Sequence, residues 1–114
     1  HTNQLVTYCE NVHYWPSHIK EVAKAVDIIS IHIYPVWVNK PIDEGIQITK
    51  DDYANILKTY PNKQCIITET GWPTKSSGRG IKPENAGLEY QNKFIAEISK
   101  WSEENQITVF FFGI

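Results

Sequence analysis

The 114-residue chain contains no methionine, only two cysteines, and no apolar run near the ~20 residues that a membrane-spanning helix requires. Its formal net charge is −2, so it lacks the basic excess typical of nucleic-acid-binding proteins. Cys9 and Cys65 allow one disulfide or two buried thiols, and neither they nor the histidines have the spacing of a metal site. These absences favour a neutral ligand, with no nucleic acid, no membrane span, no metal and no cofactor.

Hydrophobic residues make up 41% of the chain without any low-complexity tract, which indicates one modest globular domain or part of a larger one. The sequence begins at His1 and stops at Ile114, within an apolar run that starts at Val109. Because natural domains rarely end inside a strand, we expect residues 1–114 to be a piece of a longer domain, truncated at both ends.

Strand-like and helix-like patterns alternate along the whole chain. The predicted strands cover 5–10, 27–34, 64–69 and 107–112, and the predicted helices cover 17–26, 51–60 and 83–104. Ser17 is the expected cap of the first helix, and Pro83 is expected in the first turn of the third. The order predicts a parallel α/β sheet covered by helices, with long loops at 35–50 and 70–82.

The second predicted strand favours a barrel over an open sheet. Its isoleucines and its polar residues fall on opposite faces: Ile29, Ile31 and Ile33 on one, Ser30, His32 and Tyr34 on the other. An open doubly wound sheet would need both faces apolar, whereas a polar stripe suits the lumen of a barrel. Four strands amount to about half of a (β/α)8 TIM barrel.

The segment 65–74 is the most informative part of the chain. A short apolar strand ends in one carboxylate, Glu69, and Gly71-Trp72-Pro73 follows at once. Because Gly71 and Pro73 break a helix, Glu69 is expected at the carboxyl end of a buried strand, where barrel folds place their chemistry. A carboxylate beside an indole suits a sugar, although a strand-end Glu can also cap a loop or pair with a cation.

The alternation of the third strand places Ile67 and Glu69 on one face, opposite Ile66 and Thr68. If the inner face carries Glu69, its carboxylate reaches the same mouth as Tyr34.

Five further residues near strand ends are candidates for the same site. Glu10 is a second acidic candidate. Trp15, Trp37 and Trp72 are candidate platforms for sugar stacking, with Trp72 the strongest. His32 is predicted either as a hydrogen-bonded lumen residue or as a substrate contact.

The segment 67–74 resembles the nucleophile segment of glycoside hydrolase family 17, which contains β-1,3-glucanases and glucanosyltransferases on (β/α)8 barrels. Residues 6–15, 26–37 and 109–112 are similar to its strand-five, strand-six and strand-eight segments, in the family's order. The resemblance implies that residues 1–114 are the C-terminal half of the catalytic barrel, about strands 5 to 8. It also implies that Glu69 is the nucleophile and that Tyr34 lines the subsite of the attacked sugar.

Two departures from the family stand out. The family's acid/base, a Glu after an Asn on strand four, has no counterpart here and is expected upstream of His1. Gly113 stands where some relatives carry a larger residue. The fragment alone is therefore expected to be inactive and to need the missing N-terminal half of the barrel.

The resemblance implies a retaining glycoside hydrolase or transglycosylase that acts on β-1,3-glucan through a glucosyl-enzyme ester on Glu69. One alternative is a catalytically inactive β-glucan-binding protein of the same fold. Another is a retaining glycosidase of the same clan with a different linkage specificity. Because β-1,3-glucans lie outside the cytoplasm, a secreted, periplasmic or cell-wall location is expected.

Overall fold

The computed structural model describes residues 4–17 and 19–112. Within them, strands and helices alternate as predicted: β1 (Thr7–Asn11), α1 (Lys20–Ala25), β2 (Ile28–His32), α2 (Ile42–Thr59), β3 (Gln64–Thr70), α3 (Leu88–Asn105) and β4 (Val109–Phe111). A 3-10 turn, Pro35–Val38, follows β2, and a second one, Pro83–Asn85, precedes α3. The predicted α/β class with parallel strands is confirmed.

The strands form one sheet in the order β1-β2-β3-β4, and every neighbouring pair is parallel. Strands of a barrel follow each other around the sheet in this sequential order, whereas a doubly wound sheet reverses its order at a switch point. All four strands therefore present their carboxyl ends at the same edge.

The isoleucine face of β2 is the centre of the hydrophobic core. Ile29 and Ile31 are fully buried, and they pack in one cluster with Ile56 of α2 and Ile67 of β3. A second cluster joins α2, α3 and the loop after β3 around Phe94. The predicted division of β2 into an apolar face and a polar face is confirmed, and the polar face is left for the site.

Helix α2 begins at Ile42, so the prediction of a long loop over 35–50 was wrong. The helix starts directly after Pro41. Asp43 and Glu44 lie in its first turn, where negative charges stabilise the helix by interacting with the positive end of its dipole. The stripe that it buries has helical spacing over its full length: Ile42, Ile46, Thr49, Tyr53 and Ile56. This first part of the helix was missed in the sequence analysis because Gly45 and the β-branched residues around it have low helix propensity.

Two predicted helix starts were also misplaced. α1 begins at Lys20 after Ile19, so Ser17 does not cap it. Pro83 opens a 3-10 turn, and α3 starts only at Leu88.

Gly113, singled out above, lies outside the described residues. No helix in the described part of the chain is both long enough and apolar enough to cross a membrane.

Candidate active site

β3 contains one residue more than β2 at the point where it reaches Glu69. Ile31 of β2 pairs with Ile67, but the next residue of β2, His32, pairs with Glu69. An extra residue moves the following side chains to the other face of the sheet. The prediction that Ile67 and Glu69 share a face was therefore wrong: Ile67 is buried in the core, and Glu69 faces the side of His32.

The pairing with β4 shows the same extra residue. Ile67 pairs with Val109, and Thr70, three residues on, pairs with Phe111, only two residues on. The irregularity therefore belongs to β3 and not to its neighbours. Thr70 is fully buried, and its Oγ1 has no hydrogen-bond partner among the described residues. The shift thus turns Glu69 to the open face and buries Thr70.

Glu69, Tyr34 and His32 meet at the carboxyl edge of the sheet. The hydroxyl of Tyr34 donates a hydrogen bond to Oε1 of Glu69. The same hydroxyl lies 3.2 Å from Nδ1 of His32, and Nε2 of His32 lies 3.7 Å from Oε2 of Glu69. The side chain of Glu69 remains 32% exposed, so a ligand can reach its free oxygen. The structure brings these three candidates together as one cluster.

The hydrogen bonds of this cluster determine the tautomer of a neutral His32. Tyr34 has one hydroxyl proton, and it is donated to Glu69. The contact between Tyr34 and His32 therefore needs a proton on Nδ1, which leaves Nε2 as an acceptor. The 3.7 Å separation between Nε2 and Oε2 is too long for a direct hydrogen bond. A hydroxyl group that lies to one side of this pair can reach both atoms and donate to one of them.

The phenol of Tyr34 keeps its proton far above neutral pH. The pKa of Tyr34 is raised to about 12. Burial is the largest cause, followed by the hydrogen bond to Glu69, the negative charge of Glu69 and the charge of Glu10. Tyr34 is therefore a permanent donor to a carboxylate at position 69. Glu10 influences this cluster through its charge, and its Oε1 accepts the backbone N–H of Asn11 at 2.8 Å.

Trp72 is part of the core, and its prediction as a sugar platform was wrong. The side chain is 1% exposed, and its ring stacks on Phe94 with 6.0 Å between centroids. Its Nε1 donates to the carbonyl of Asn85 at 2.9 Å, and Gly45 of α2 lies against the six-membered ring. Because these neighbours enclose the indole, no face remains for a sugar.

Trp15 is also buried, so its prediction as a sugar platform was wrong as well. Its Nε1 donates to the carbonyl of Ser30 at 3.2 Å, and the rings of Tyr8 and Tyr60 make edge contacts with it. Trp37, by contrast, is 62% exposed in the 3-10 turn after β2. Of the three predicted platforms, only Trp37 offers an open indole, and its role in binding stays a prediction.

The sequence reasoning missed two cationic residues near this edge. Lys75 and Arg79 line a cleft beside Trp37. The available signal was the run 75–82, which contains three basic residues and no acidic one. The described residues include no group of three or more side chains that could hold a metal ion.

A parallel sheet in sequential order, with an accessible carboxylate at a strand end, defines an α/β domain that carries its site at the carboxyl edge. The chain belongs to the BtgE/BtgC glycoside hydrolase domain family, which it matches over residues 1–114. It is 30% identical, over 77 residues, to the probable beta-glucosidase btgE of Aspergillus terreus (strain NIH 2624 / FGSC A1156). That alignment covers 67% of this chain and 14% of the relative.

Solved structures show the same fold. The glycoside hydrolase family 17 β-1,3-glucanosyltransferase from Rhizomucor miehei matches with a TM-score of 0.81 and 20% identity, over 96% of this chain and 39% of that one. An active-site mutant of the Rhizomucor miehei enzyme in complex with laminaritriose matches over the same shares, with a TM-score of 0.82 and 20% identity. An endo-laminarinase from Formosa Hel1_33_131 matches with a TM-score of 0.75 and 19% identity, over 96% of this chain and 37% of that one. The resemblance to family 17 is confirmed at the level of the fold. The chain spans about two fifths of the length of these solved structures.

Proposed function

We propose that residues 1–114 form the C-terminal half of a (β/α)8 catalytic domain, about strands 5 to 8, in a retaining glycoside hydrolase or transglycosylase that acts on β-1,3-glucan. The sequential parallel sheet and the match to 39% of a family 17 glucanosyltransferase support the half-barrel. The family assignment supports glycoside hydrolysis, and the relative solved with laminaritriose supports a β-1,3-glucan as the ligand.

The observation that supports the mechanism best is the contact between Glu69 and Tyr34. In a retaining reaction, Glu69 attacks the anomeric carbon and forms a glucosyl-enzyme ester, while a second carboxyl group protonates the leaving oxygen. The nucleophile must be ionised, and the Tyr34 hydroxyl stabilises that form through its hydrogen bond to Oε1. The same bond orients the carboxylate and leaves Oε2 free to attack. Water or a sugar hydroxyl then releases the glucosyl group.

The second carboxyl group, the acid/base, is proposed to lie upstream of residue 1, because family 17 carries it as a Glu after an Asn on strand four and residues 1–114 contain no Asn-Glu pair. In the whole domain the two groups of a retaining enzyme would stand about 5–5.5 Å apart across the cleft. The edge strands β1 and β4 support a missing partner half. Tyr8 is 44% exposed on β1, and Phe110 is 56% exposed on β4. An N-terminal half of the barrel would pair with both edges and cover these side chains.

The proposed substrate contacts are His32, Trp37 and Glu10. Nε2 of His32 and Oε2 of Glu69 are 3.7 Å apart, and a hydroxyl of the attacked sugar would lie to one side of this pair and donate to one of the two atoms. Trp37 provides an open indole for a more distant unit. A β-glucan outside the cytoplasm would require a secreted, periplasmic or cell-wall location for the whole protein.

The experiment uses the full-length protein that contains this domain, with Glu69→Gln as the variant and Glu103→Gln, on the exposed side of α3, as the control. Laminari-oligosaccharide turnover should fall by at least about 10³-fold in Glu69→Gln, while binding is retained and the control is unchanged. An activated 2-fluoro glucoside should label the segment 65–74, as detected by peptide mass spectrometry. Full turnover by Glu69→Gln would refute the assignment of the nucleophile.

The same experiment separates the two alternatives. Tight binding of laminari-oligosaccharides without any turnover by the unchanged protein would support a catalytically inactive glucan-binding protein. Turnover that prefers β-1,4- or β-1,6-linked oligosaccharides, with the same dependence on Glu69, would support another linkage specificity.

A further inference from the structure

A cleft of about 330 Å³ lies beside the candidate active site. Its walls are the 3-10 turn Pro35–Val38 and the loop after β3, and its lining includes Trp37, Lys75, Ser76 and Arg79. Its volume is at the lower end of the range for small-ligand sites. Pro73, also in the lining, is four residues beyond Glu69, a stretch of chain that spans at most about 14 Å. The cleft is therefore near enough to the candidate active site for a bound oligosaccharide to extend from one towards the other.

Trp37 is a fixed aromatic surface in this cleft. Gly80 lies directly against the indole, because a Cβ built on Gly80 would come within 2.7 Å of Cε3 of Trp37. Gly80 also has φ +78, which favours glycine. The backbone of the loop thus supports one edge of the ring, while 62% of the residue stays exposed. An indole that is both supported and open suits the apolar face of a sugar ring.

The loop that forms the cleft is held by its own hydrogen bonds. The hydroxyl of Ser76 donates to the carbonyl of Ile81 and accepts from the backbone N–H of Gly78 at 3.1 Å. The N–H of Lys82 donates to Oδ1 of Asn39 at 3.0 Å, which links the loop to the turn that carries Trp37. A preorganised loop lowers the entropy cost of binding a ligand.

The charge of the cleft is positive, although the whole chain has a formal net charge of −2. Lys75 and Arg79 both line it, and no acidic residue does. Among the described residues, neither Lys75 nor Arg79 forms an ion pair, whereas Lys93 of α3 pairs with Asp43 at 2.6 Å. The two cations of the cleft are therefore available to an anionic ligand.

We propose that this cleft is a subsite for a β-glucan unit that carries an anionic substituent. The sugar ring stacks on Trp37, and the negatively charged oxygens of the substituent contact Lys75 and Arg79. The inference rests on the proposed function of the site at Glu69 and adds a substrate class to it, a β-glucan bearing carboxylate, phosphate or sulfate groups.

The test measures binding to the full-length protein by calorimetry at low and at high salt. The ligands are laminarihexaose and its carboxymethylated, phosphorylated and sulfated forms, so that the source of the charge is distinguished. The variants are Lys75→Gln/Arg79→Gln and Trp37→Ala, and the control is Lys58→Gln, which removes an exposed cation of α2 away from the cleft.

At low salt we expect the unchanged protein and Lys58→Gln to bind at least one anionic form about three- to ten-fold more tightly than laminarihexaose, as for two partly exposed ion pairs. High salt or Lys75→Gln/Arg79→Gln should remove this preference without weakening the neutral ligand. Trp37→Ala should weaken the neutral and anionic ligands together.

Equal affinity for neutral and anionic ligands would overturn the proposal, and so would a preference that survives Lys75→Gln/Arg79→Gln or the absence of any binding. Turnover of neutral laminarihexaose, measured in parallel, separates this failure from that of the proposed function. Normal turnover without a charge preference rejects only the subsite, and a charge preference without turnover keeps the subsite and rejects the proposed catalytic function.

Discussion

Replacement of Gly45 by alanine tests how the turn after Glu69 is held in the core. Gly45 lies in α2, where alanine alone would favour the helix by about 1 kcal/mol. A Cβ at this position, however, would lie 2.3 Å from Cζ3 and 2.8 Å from Cη2 of Trp72. Contacts this short require a shift of the ring or of the helix.

The indole of Trp72 has little freedom to make that shift. It is 1% exposed, stacks on Phe94 and donates its Nε1 proton to the carbonyl of Asn85 at 2.9 Å. Overpacking in such a site costs about 3 kcal/mol, at the upper end of the usual range. After subtraction of the helix gain, Gly45→Ala should lower the free energy of unfolding by about 2 kcal/mol. For a domain of barrel size this lowers Tm by about 4–8 °C.

The assay is thermal and urea unfolding of the full-length protein, with Trp72→Phe as the second position of a double-mutant cycle. Phenylalanine lacks the atoms that a Cβ on Gly45 would meet, so Gly45→Ala should be neutral or stabilising in the Trp72→Phe background. If Gly45→Ala raises Tm in the unchanged background, or has the same effect in both, the packing of Trp72 against α2 is not as described.

Three further predictions concern the site and the edges of the sheet. Tyr34→Phe should lower kcat of the full-length protein about 10- to 100-fold, because a hydrogen bond to a charged group contributes about 1.5–3 kcal/mol; an unchanged kcat in steady-state assays would contradict this role. Because the pKa of Tyr34 is raised from 10.0 to about 12, its protonated form should stabilise the fold fully below pH 10 and lose that contribution between pH 10 and 12. Urea titrations should show this loss in the unchanged protein and a smaller one in Tyr34→Phe. Residues 1–114 expressed alone should be inactive and should aggregate, dimerise or stay partly molten, since both edge strands expose apolar side chains. A monomer with sharp cooperative unfolding and full activity would contradict this prediction.

The features that the sequence predicted correctly depend on local order along the chain. Alternating strand and helix patterns indicated the parallel α/β fold, because each element must bury one face with its own period. The division of β2 into an isoleucine face and a polar face followed from a period of two. Glu69 was placed near the end of a strand because Gly71 and Pro73 prevent regular structure from continuing.

Only the tertiary structure decided which way these side chains face. The extra residue in β3 is visible only against β2 and β4, and it moves Glu69 from the face of Ile67 to that of His32. Burial of Trp72 likewise depends on α2 and α3, which lie far from it in sequence. Local patterns report which residues can share a face, but register and burial depend on partners that only the fold brings together.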